Sequence, residues 1–207
     1  MMNCPLTGSS ARVAPMKPIP LRLLLSALLA LVFAVPAAAA LQGENLLVPP
    51  LAGWSKIYEG NGNGIRMQGF VPPGNTADVW SQMATIEVFL GRGGYPPRKL
   101  RDQVNEGLRL NCEALHVDDL GAGTVNGLPA IRWMAYCSKL HQYGKGEIDM
   151  FQAVSGKDNF FLVYRAWRGP AFDLAHPPVA VPMIKDWEQY MAGVAVCDSR
   201  DPSRPCP

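Results

Sequence analysis

Charged side chains are scarce in this sequence, and neither sign dominates. Of the 207 residues 17% are charged, with 19 basic residues against 17 acidic ones. Arg12, Lys17 and Arg22 precede residue 41 and no acidic residue does, so the remainder holds 16 basic and 17 acidic side chains, a net charge of −1. A nearly neutral segment offers no broad positive surface to nucleic acid or to an anionic membrane. We therefore expect no nucleic-acid partner.

Short motifs that carry common chemistries are missing as well. The sequence has no GxSxG turn and no S-x-x-K motif, which are signatures of serine hydrolases. Its three histidines, His116, His141 and His176, share no motif, and neither CxxC nor HxxxH spacing occurs. Asp118 and Asp119 are adjacent in a predicted strand and so point to opposite faces. We therefore predict no catalytic residue, no metal site and no cofactor.

No apolar run reaches the roughly 20 residues that a membrane-spanning helix needs. The run at residues 23–35 follows a positively charged start and ends at Pro36, before the four alanines 37–40. A positive start, a short apolar core and an A-x-A arrangement are typical of a secretory signal peptide. We predict a cleaved signal over residues 1–40, a mature protein that is periplasmic or secreted, and no stable membrane insertion after cleavage.

Cysteines are few, but their number is even after the predicted cleavage point. Cys4 leaves with the signal, while Cys112, Cys137, Cys197 and Cys206 remain, and four cysteines allow three pairings. Disulfides are expected in an oxidising compartment. Because Cys197 and Cys206 bracket a short loop rich in Pro, Ser, Asp and Arg, we pair them with each other. This leaves Cys112 with Cys137.

Turn residues and apolar alternation after residue 40 predict a series of antiparallel hairpins. Asn-Gly pairs within residues 60–64 and 125–128 favour tight turns. The stretch FFLVYRAW at residues 160–167 is apolar on both faces apart from Arg165, which indicates a central strand. Residues 46–50 are expected to be an extended opening segment. The predicted strands cover residues 54–59, 65–71, 80–90, 115–124, 130–140, 147–154 and 160–167.

Two amphipathic helices are predicted, one over residues 97–112 and one starting at Pro182. In the first, apolar residues four positions apart share one face with Cys112, and Gly107 beside them would let the helix approach a sheet closely. In the strand over residues 130–140, Cys137 shares a face with the large apolar residues. A Cys112–Cys137 bridge would therefore pin the helix to the sheet.

Together these elements predict an α+β domain over residues 41–196, followed by a disulfide-closed tail over residues 197–207. Its core is a single antiparallel sheet of about seven strands with two covering helices. The stretches LVPP…GW at residues 47–54 and GFVP…DVWSQM at residues 69–83 resemble PsbP-like domains, which include the extrinsic PsbP subunit of the oxygen-evolving complex and exported bacterial relatives. The resemblance implies a PsbP-like α/β sandwich and no particular activity.

Four side chains are candidates for binding. Tyr95 and Tyr143 lie in Gly-flanked loops, where core packing is not expected and exposed aromatics favour contacts with ligands or proteins. Arg132 and Arg165, which we place on neighbouring strands, could hold an anionic ligand. The alternative for both arginines is a structural ion pair with Glu147 or Asp149.

These features favour a non-catalytic domain of the cell envelope that binds a partner protein or a small ligand. One alternative is an envelope hydrolase, for which Glu147 and Asp149 share a strand face, although an exposed sheet rim explains them equally well. A further alternative is a structural accessory or assembly factor. That role predicts an exposed apolar patch around Tyr95 or Tyr143.

Overall fold

The computed structural model describes residues 41–207. These residues include a seven-stranded antiparallel sheet. The predicted signal peptide lies outside the described residues. Within them the elements are β1 (Glu44–Leu47), β2 (Ser55–Gly62), β3 (Ile65–Val71), β4 (Gln82–Phe89), α1 (Pro97–Asn111), β5 (Leu115–Val125), β6 (Leu128–Cys137), β7 (Lys145–Ser155), β8 (Phe160–Pro170), α2 (Val181–Ala192) and β9 (Ala195–Asp198).

The main sheet has the strand order β2-β3-β4-β8-β7-β6-β5, and every neighbouring pair is antiparallel. β8 is the middle strand, as its two apolar faces predict. The turns after β2 and β5 carry consecutive positive φ angles at Asn63 and Gly64 (51° and 77°) and at Asn126 and Gly127 (48° and 76°). Asn-Gly accepts this conformation readily, so these dipeptides set the register of both hairpins.

The two helices cover opposite faces of the sheet, which we call the α1 face and the α2 face. Alternation along each strand sends successive side chains to opposite faces, and both helices lie over β6, β7 and β8. On the α1 face the contacts join Leu100, Val104 and Leu108 to Ile131, Trp133, Phe151 and Leu162. On the α2 face they join Trp187, Tyr190 and Met191 to Met134, Ile148, Met150 and Val163. The predicted α+β class with two covering helices is confirmed.

Both predicted disulfides are present, Cys112–Cys137 and Cys197–Cys206, with Cα atoms 5.5 and 4.9 Å apart. The first bridge joins the residue after α1 to the end of β6, and both of its cysteines are buried. It therefore fixes the carboxyl end of the helix to the sheet, as the face assignments predicted.

The prediction of a single sheet is wrong, because β1 and β9 form a second, two-stranded antiparallel sheet. β9 (Ala195–Asp198) overlaps the start of the predicted tail over residues 197–207, which the Cys197–Cys206 bridge closes. The Glu44 carboxylate of β1 accepts backbone hydrogen bonds from Lys157, Asp158 and Asn159 at 2.8, 3.0 and 3.0 Å. This small sheet is thereby tied to the turn between β7 and β8. Four-residue strands are too short to show a period, which is why the sequence did not reveal them.

None of the helices within residues 41–207 is long and apolar enough to span a membrane.

Candidate functional site

The four predicted binding residues are divided between the two faces. Arg132 on β6 and Arg165 on β8 point to the α2 face, whereas Tyr95 and Tyr143 lie on the α1 side. The expectation that the two arginines occupy neighbouring strands is wrong, because β7 lies between β6 and β8. Of the two, only Arg165 lines the cavity on that face, and whether either arginine holds an anion stays a prediction. Arg132 is held by Gln152 and donates through Nη2 to the Met191 carbonyl oxygen at 3.2 Å.

The predicted ion pairs between these arginines and Glu147 or Asp149 are also wrong. The two acids point to the α1 face, opposite to Arg132 and Arg165, because of their positions in the alternation of β7. Nor do they form an exposed rim: Asp149 is only 3% exposed. The partner of Glu147 is Arg168, directly opposite on β8, whose Nε donates to Glu147 Oε2 at 2.5 Å.

Tyr95 packs into the domain, contrary to the expectation from its loop. Its ring meets the edge of Phe160 at a centroid distance of 5.8 Å, and its hydroxyl donates to Gln103 Oε1 at 2.8 Å. The Tyr95 ring itself is therefore partly buried and not freely exposed. Whether this side chain contributes to binding stays a prediction.

Tyr143 is 52% exposed and stands at the mouth of a cavity on the α1 face. The Arg168 guanidinium lies 4.5 Å from the centre of the Tyr143 ring and 4.0 Å from that of Trp80. Two rings and the Glu147 carboxylate thus hold Arg168 in one place, as cation–π contacts and a charge-assisted hydrogen bond favour. Tyr143 is the one predicted binding residue that both lines this cavity and reaches solvent.

The cavity on this side, which we call the α1-face cavity, has a volume of about 450 Å³. It opens between α1 and the strands β4, β7 and β8. One wall is apolar and comes mainly from the helix stripe; the floor carries three acids, a tyrosine and an arginine. Its apolar lining includes Phe89, Leu100, Val104, Leu108, Phe151 and Leu162, and its polar lining includes Glu87, Glu147, Asp149, Tyr164 and Arg168.

The space exists because α1 is only partly buried against the sheet. No residue of α1 is fully buried, whereas α2 buries Trp187, Tyr190 and Met191. Gly107 was expected to allow close approach of α1 to the sheet, and this is wrong: a Cβ built on it meets no atom within 4 Å. The apolar stripe of α1 therefore faces empty space that the other described side chains do not fill.

Burial shifts the proton equilibria of the acids in the α1-face cavity. It raises the pKa of Asp149 well above the ordinary value; the neighbouring Glu147 charge adds to this shift and Arg168 opposes it. Burial also raises the pKa of Glu147, against the effect of Arg168. It raises the pKa of Glu87 too, and the Tyr164 hydroxyl offsets part of that rise. All three carboxyls thus hold protons more tightly than they would in water.

Asp149 is the least satisfied of these groups. Its side chain lines the cavity and takes part in no side-chain hydrogen bond or ion pair found among the described residues, although the Arg168 charge acts on it. Because Arg168 is held by Glu147, Asp149 remains a buried carboxyl without a bonded partner; such a group costs free energy unless it keeps a proton or attracts a positive group. The α1-face cavity thus combines an apolar wall with a buried acid that has no bonded partner.

The sequence pointed to Glu147 and Asp149 as a pair, but it missed Glu87, Tyr164 and Arg168. Alternation along the strand at residues 80–90 does place Glu87 with Thr85 and Phe89 on one face. A charged residue within a strand that pairs with the central strand is a signal for a buried polar site. That signal becomes visible only once β4 is known to lie beside β8.

The histidines do not contribute to this cavity. On β5, His116 Nε2 lies 2.8 Å from Asp118 Oδ1. In a loop, His176 Nδ1 lies 3.7 Å from Asp173 Oδ2. In the part of the chain that the structure describes, no three His, Cys, Asp or Glu side chains are arranged to hold a metal ion.

No protein-family model matches the chain, and no curated protein matches it significantly. The chemistry of the α1-face cavity therefore has to be inferred from its own side chains: buried carboxylates, one arginine held between two rings, and an apolar helix stripe.

Proposed function

We propose that this chain is an exported, non-catalytic domain of the cell envelope that binds an amphipathic ligand with a positively charged amine in the α1-face cavity. The observation that carries this proposal is Asp149, which is 3% exposed and lines the cavity, while the one arginine whose charge acts on it, Arg168, is bonded to Glu147. An ammonium group beside it would supply both the missing donor and the missing charge.

The shape and polarity of the cavity fit such a ligand. Small-molecule sites typically enclose about 300–1,000 Å³ and combine apolar walls with a few polar groups, and a cavity of about 450 Å³ falls in that range. The apolar body of the ligand would lie along Leu100, Val104 and Leu108, which α1 leaves only half-buried. A lysine side chain of a partner protein has the same chemistry, with an aliphatic stem and an ammonium end.

Ligand chemistry can be tested with three probes of equal length. We expect n-hexylamine, titrated into the isotope-labelled mature protein at pH 8, to shift NMR signals of residues lining the α1-face cavity. Neutral n-hexanol should bind more weakly, and n-hexanoate most weakly, because the acids repel it. Asp149→Asn should weaken hexylamine binding about tenfold or more, which corresponds to ~1.4 kcal/mol.

The matched control is Asp118→Asn, which removes an exposed acid outside the cavity and should leave the affinity unchanged. A pulled-down partner whose binding depends on one lysine and on Asp149 would identify a protein as the source of the amine. Equal binding of hexanoate and hexylamine, or no effect of Asp149→Asn, would refute the proposal.

Export to the periplasm or the medium is the second part of the proposal. The two disulfides support it, because such bonds form and persist in oxidising compartments. The resemblance to exported PsbP-like domains agrees with it. Expression of the full chain should yield a protein that begins near residue 41 outside the cytoplasm, with four cysteines that resist alkylation until reduced. A cytosolic protein with four free thiols would contradict it.

A hydrolase is the second candidate, favoured by the raised pKa values of Glu87 and Asp149, since a protonated carboxyl can act as a general acid. Turnover would separate the two functions. A catalytic protein should lose product formation on Glu87→Gln while still binding its ligand, whereas a binding domain forms no product from any ligand that it holds.

A further inference from the structure

A second cavity, of about 660 Å³, lies on the α2 face, on the side of the sheet opposite to the acids. It is enclosed by the chain between β1 and β2, by β4 and by α2. Arg165 of the central strand lies at its floor and is 3% exposed. The other lining residues that matter for its chemistry are Trp54, Asp186 and Tyr190, together with the apolar Pro49, Pro50 and Leu51.

Two residues that line this α2-face cavity, Arg165 and Tyr190, each carry a buried polar atom without a partner. The Arg165 Nε–H and the Tyr190 hydroxyl are both buried, and neither has a hydrogen-bond partner among the described residues. Native interiors satisfy nearly all such groups, so two unpaired donors at one cavity indicate an acceptor that the chain itself does not supply.

The guanidinium of Arg165 is held in place by aromatic rings. It lies 4.7 Å from the centre of the Trp54 ring and 5.1 Å from that of the Tyr190 ring. Rings on a guanidinium favour its charge while leaving its in-plane N–H groups free to donate. Arg165 is therefore oriented before any ligand arrives, and orientation in advance lowers the cost of binding.

The acid that Arg165 does contact is a weak competitor. Arg165 Nη2 donates to Asp186 Oδ2 at 3.2 Å, but the Asp186 side chain is 65% exposed. An ion pair with one partner largely in water contributes little free energy, so another carboxylate can displace it. Asp186 is the only acidic residue among the described residues that line the α2-face cavity.

We propose that the α2-face cavity binds a carboxylate attached to an apolar body. The carboxylate would accept hydrogen bonds from Arg165 and the Tyr190 hydroxyl, and the apolar body would lie against Trp54 and the neighbouring prolines. This site goes beyond the amine site proposed above: it lies on the opposite face and has the opposite charge.

The test uses benzoate as the probe, with benzyl alcohol as its neutral analogue and inorganic phosphate as an anion without an apolar body. Binding to the mature protein is followed by the NMR signal of the Trp54 indole. We expect benzoate to bind more tightly than either analogue. Arg165→Met should weaken benzoate binding about tenfold or more, since it removes a charged donor.

Arg165 is deeply buried, so two milder variants keep the test decisive if Arg165→Met fails to fold. Tyr190→Phe retains the ring and removes only the hydroxyl, and should weaken benzoate severalfold. Asp186→Asn removes the competing charge at an exposed position, and should strengthen benzoate binding. Lys185→Met, which removes an exposed cation of α2 outside the cavity, is the matched control and should leave benzoate affinity unchanged.

Absence of benzoate binding to both the wild type and Asp186→Asn would overturn this proposal. Phosphate or benzyl alcohol binding as tightly as benzoate would overturn it as well, because the carboxylate and the apolar body would then not be recognised together. Hexylamine binding on the α1 face is a separate measurement, so either proposal can fail while the other stands.

Discussion

The two faces of the sheet are built from the same strands, yet they bury opposite charges. On the α1 face, Asp149 and Glu147 lie beneath α1, which is only partly buried against the sheet. On the α2 face, Arg165 lies under a helix with three buried side chains and is held between two rings. Arg165 forms an ion pair with Asp186, whereas no ion pair joins Asp149 to another residue within 41–207.

The difference between the faces follows from alternation along two adjacent strands. On β7 the acids occupy positions that point to the α1 face, while Gln152 points to the other. On β8, Arg165 and Arg168 lie three residues apart and so emerge on opposite faces. Arg168 forms an ion pair with Glu147. Arg165 instead contacts Asp186 and the rings of Trp54 and Tyr190. Strand position thus puts buried acids at one cavity and a buried arginine at the other.

Removal of the Cys112–Cys137 bridge should have the largest effect, and it should act on one face. The bridge closes a loop of 25 residues, and the loop-entropy model assigns such a bond about 3 kcal/mol of the free energy of unfolding. We expect the double variant Cys112→Ala/Cys137→Ala to lose about that much in urea unfolding. Hydrogen exchange should rise in α1 and stay low in α2.

The control for this variant is Cys197→Ala/Cys206→Ala, which opens a loop of nine residues and should cost less. Uniform loss of exchange protection in both helices would show that the bridge stabilises the whole domain and does not act on the α1 face alone.

Asp149→Asn should have the next largest effect, with a sign that depends on pH. Because burial raises the pKa of Asp149 in the folded state, the folded protein binds the proton more tightly than the unfolded chain. Wild-type stability is therefore highest below the unfolded pKa, near 4, and falls as pH rises through the folded pKa. Because asparagine does not ionise, the variant does not lose stability as the pH rises. We expect its free energy of unfolding at pH 8 to exceed that of the wild type by about 1 kcal/mol or more.

The two proteins should differ least at pH 4, where the aspartate is protonated in the folded state and about half protonated in the unfolded chain. Urea unfolding of wild type and variant across pH 4–8 gives this difference; it includes the response of Glu147, whose charge acts on Asp149, while contributions from distant titrating groups cancel. Arg165 and Asp186 on the α2 face should not enter the difference. A variant less stable than wild type at pH 8 would mean that Asp149 is paired and charged in the fold.

Gly107→Ala is the smallest of these changes. Gly107 lies within α1, and a Cβ there meets no atom within 4 Å. Alanine is favoured over glycine in a helix interior by about 1 kcal/mol, so we expect a gain of that size in the free energy of unfolding. Thermal unfolding measures it. A loss would mean that α1 approaches the sheet more closely than the cavity requires.

Local patterns in the sequence accounted for most of the fold. Asn-Gly turns, alternating strands and four-residue helix spacing are short-range signals, and they predicted the seven main strands, both helices and the Cys112–Cys137 bridge. β9 has only four residues, too few for a pattern, and its partner β1 lies about 150 residues away in the chain. The second sheet was therefore missed.

The candidate site was less predictable because it depends on strand order and helix depth. The sequence placed Glu147 and Asp149 on one face, but only the insertion of β8 between β4 and β7 brings Glu87 to the same cavity. The same insertion explains why Arg132 and Arg165 are two strands apart. Whether a helix buries its stripe or leaves a cavity beneath it depends on packing between distant segments.

The central claim, that the α1-face cavity contains an unpaired carboxyl awaiting a cation, is tested most directly at Asp149 itself. The measurement is the pH titration of its carboxyl carbon by NMR, with and without n-hexylamine. We predict a midpoint well above the ordinary aspartate pKa of about 4 in the free protein, and a shift toward lower pH when the amine binds, because an ammonium group favours the charged form. A midpoint at or below 4 in the free protein, or one that hexylamine does not move, would contradict the claim.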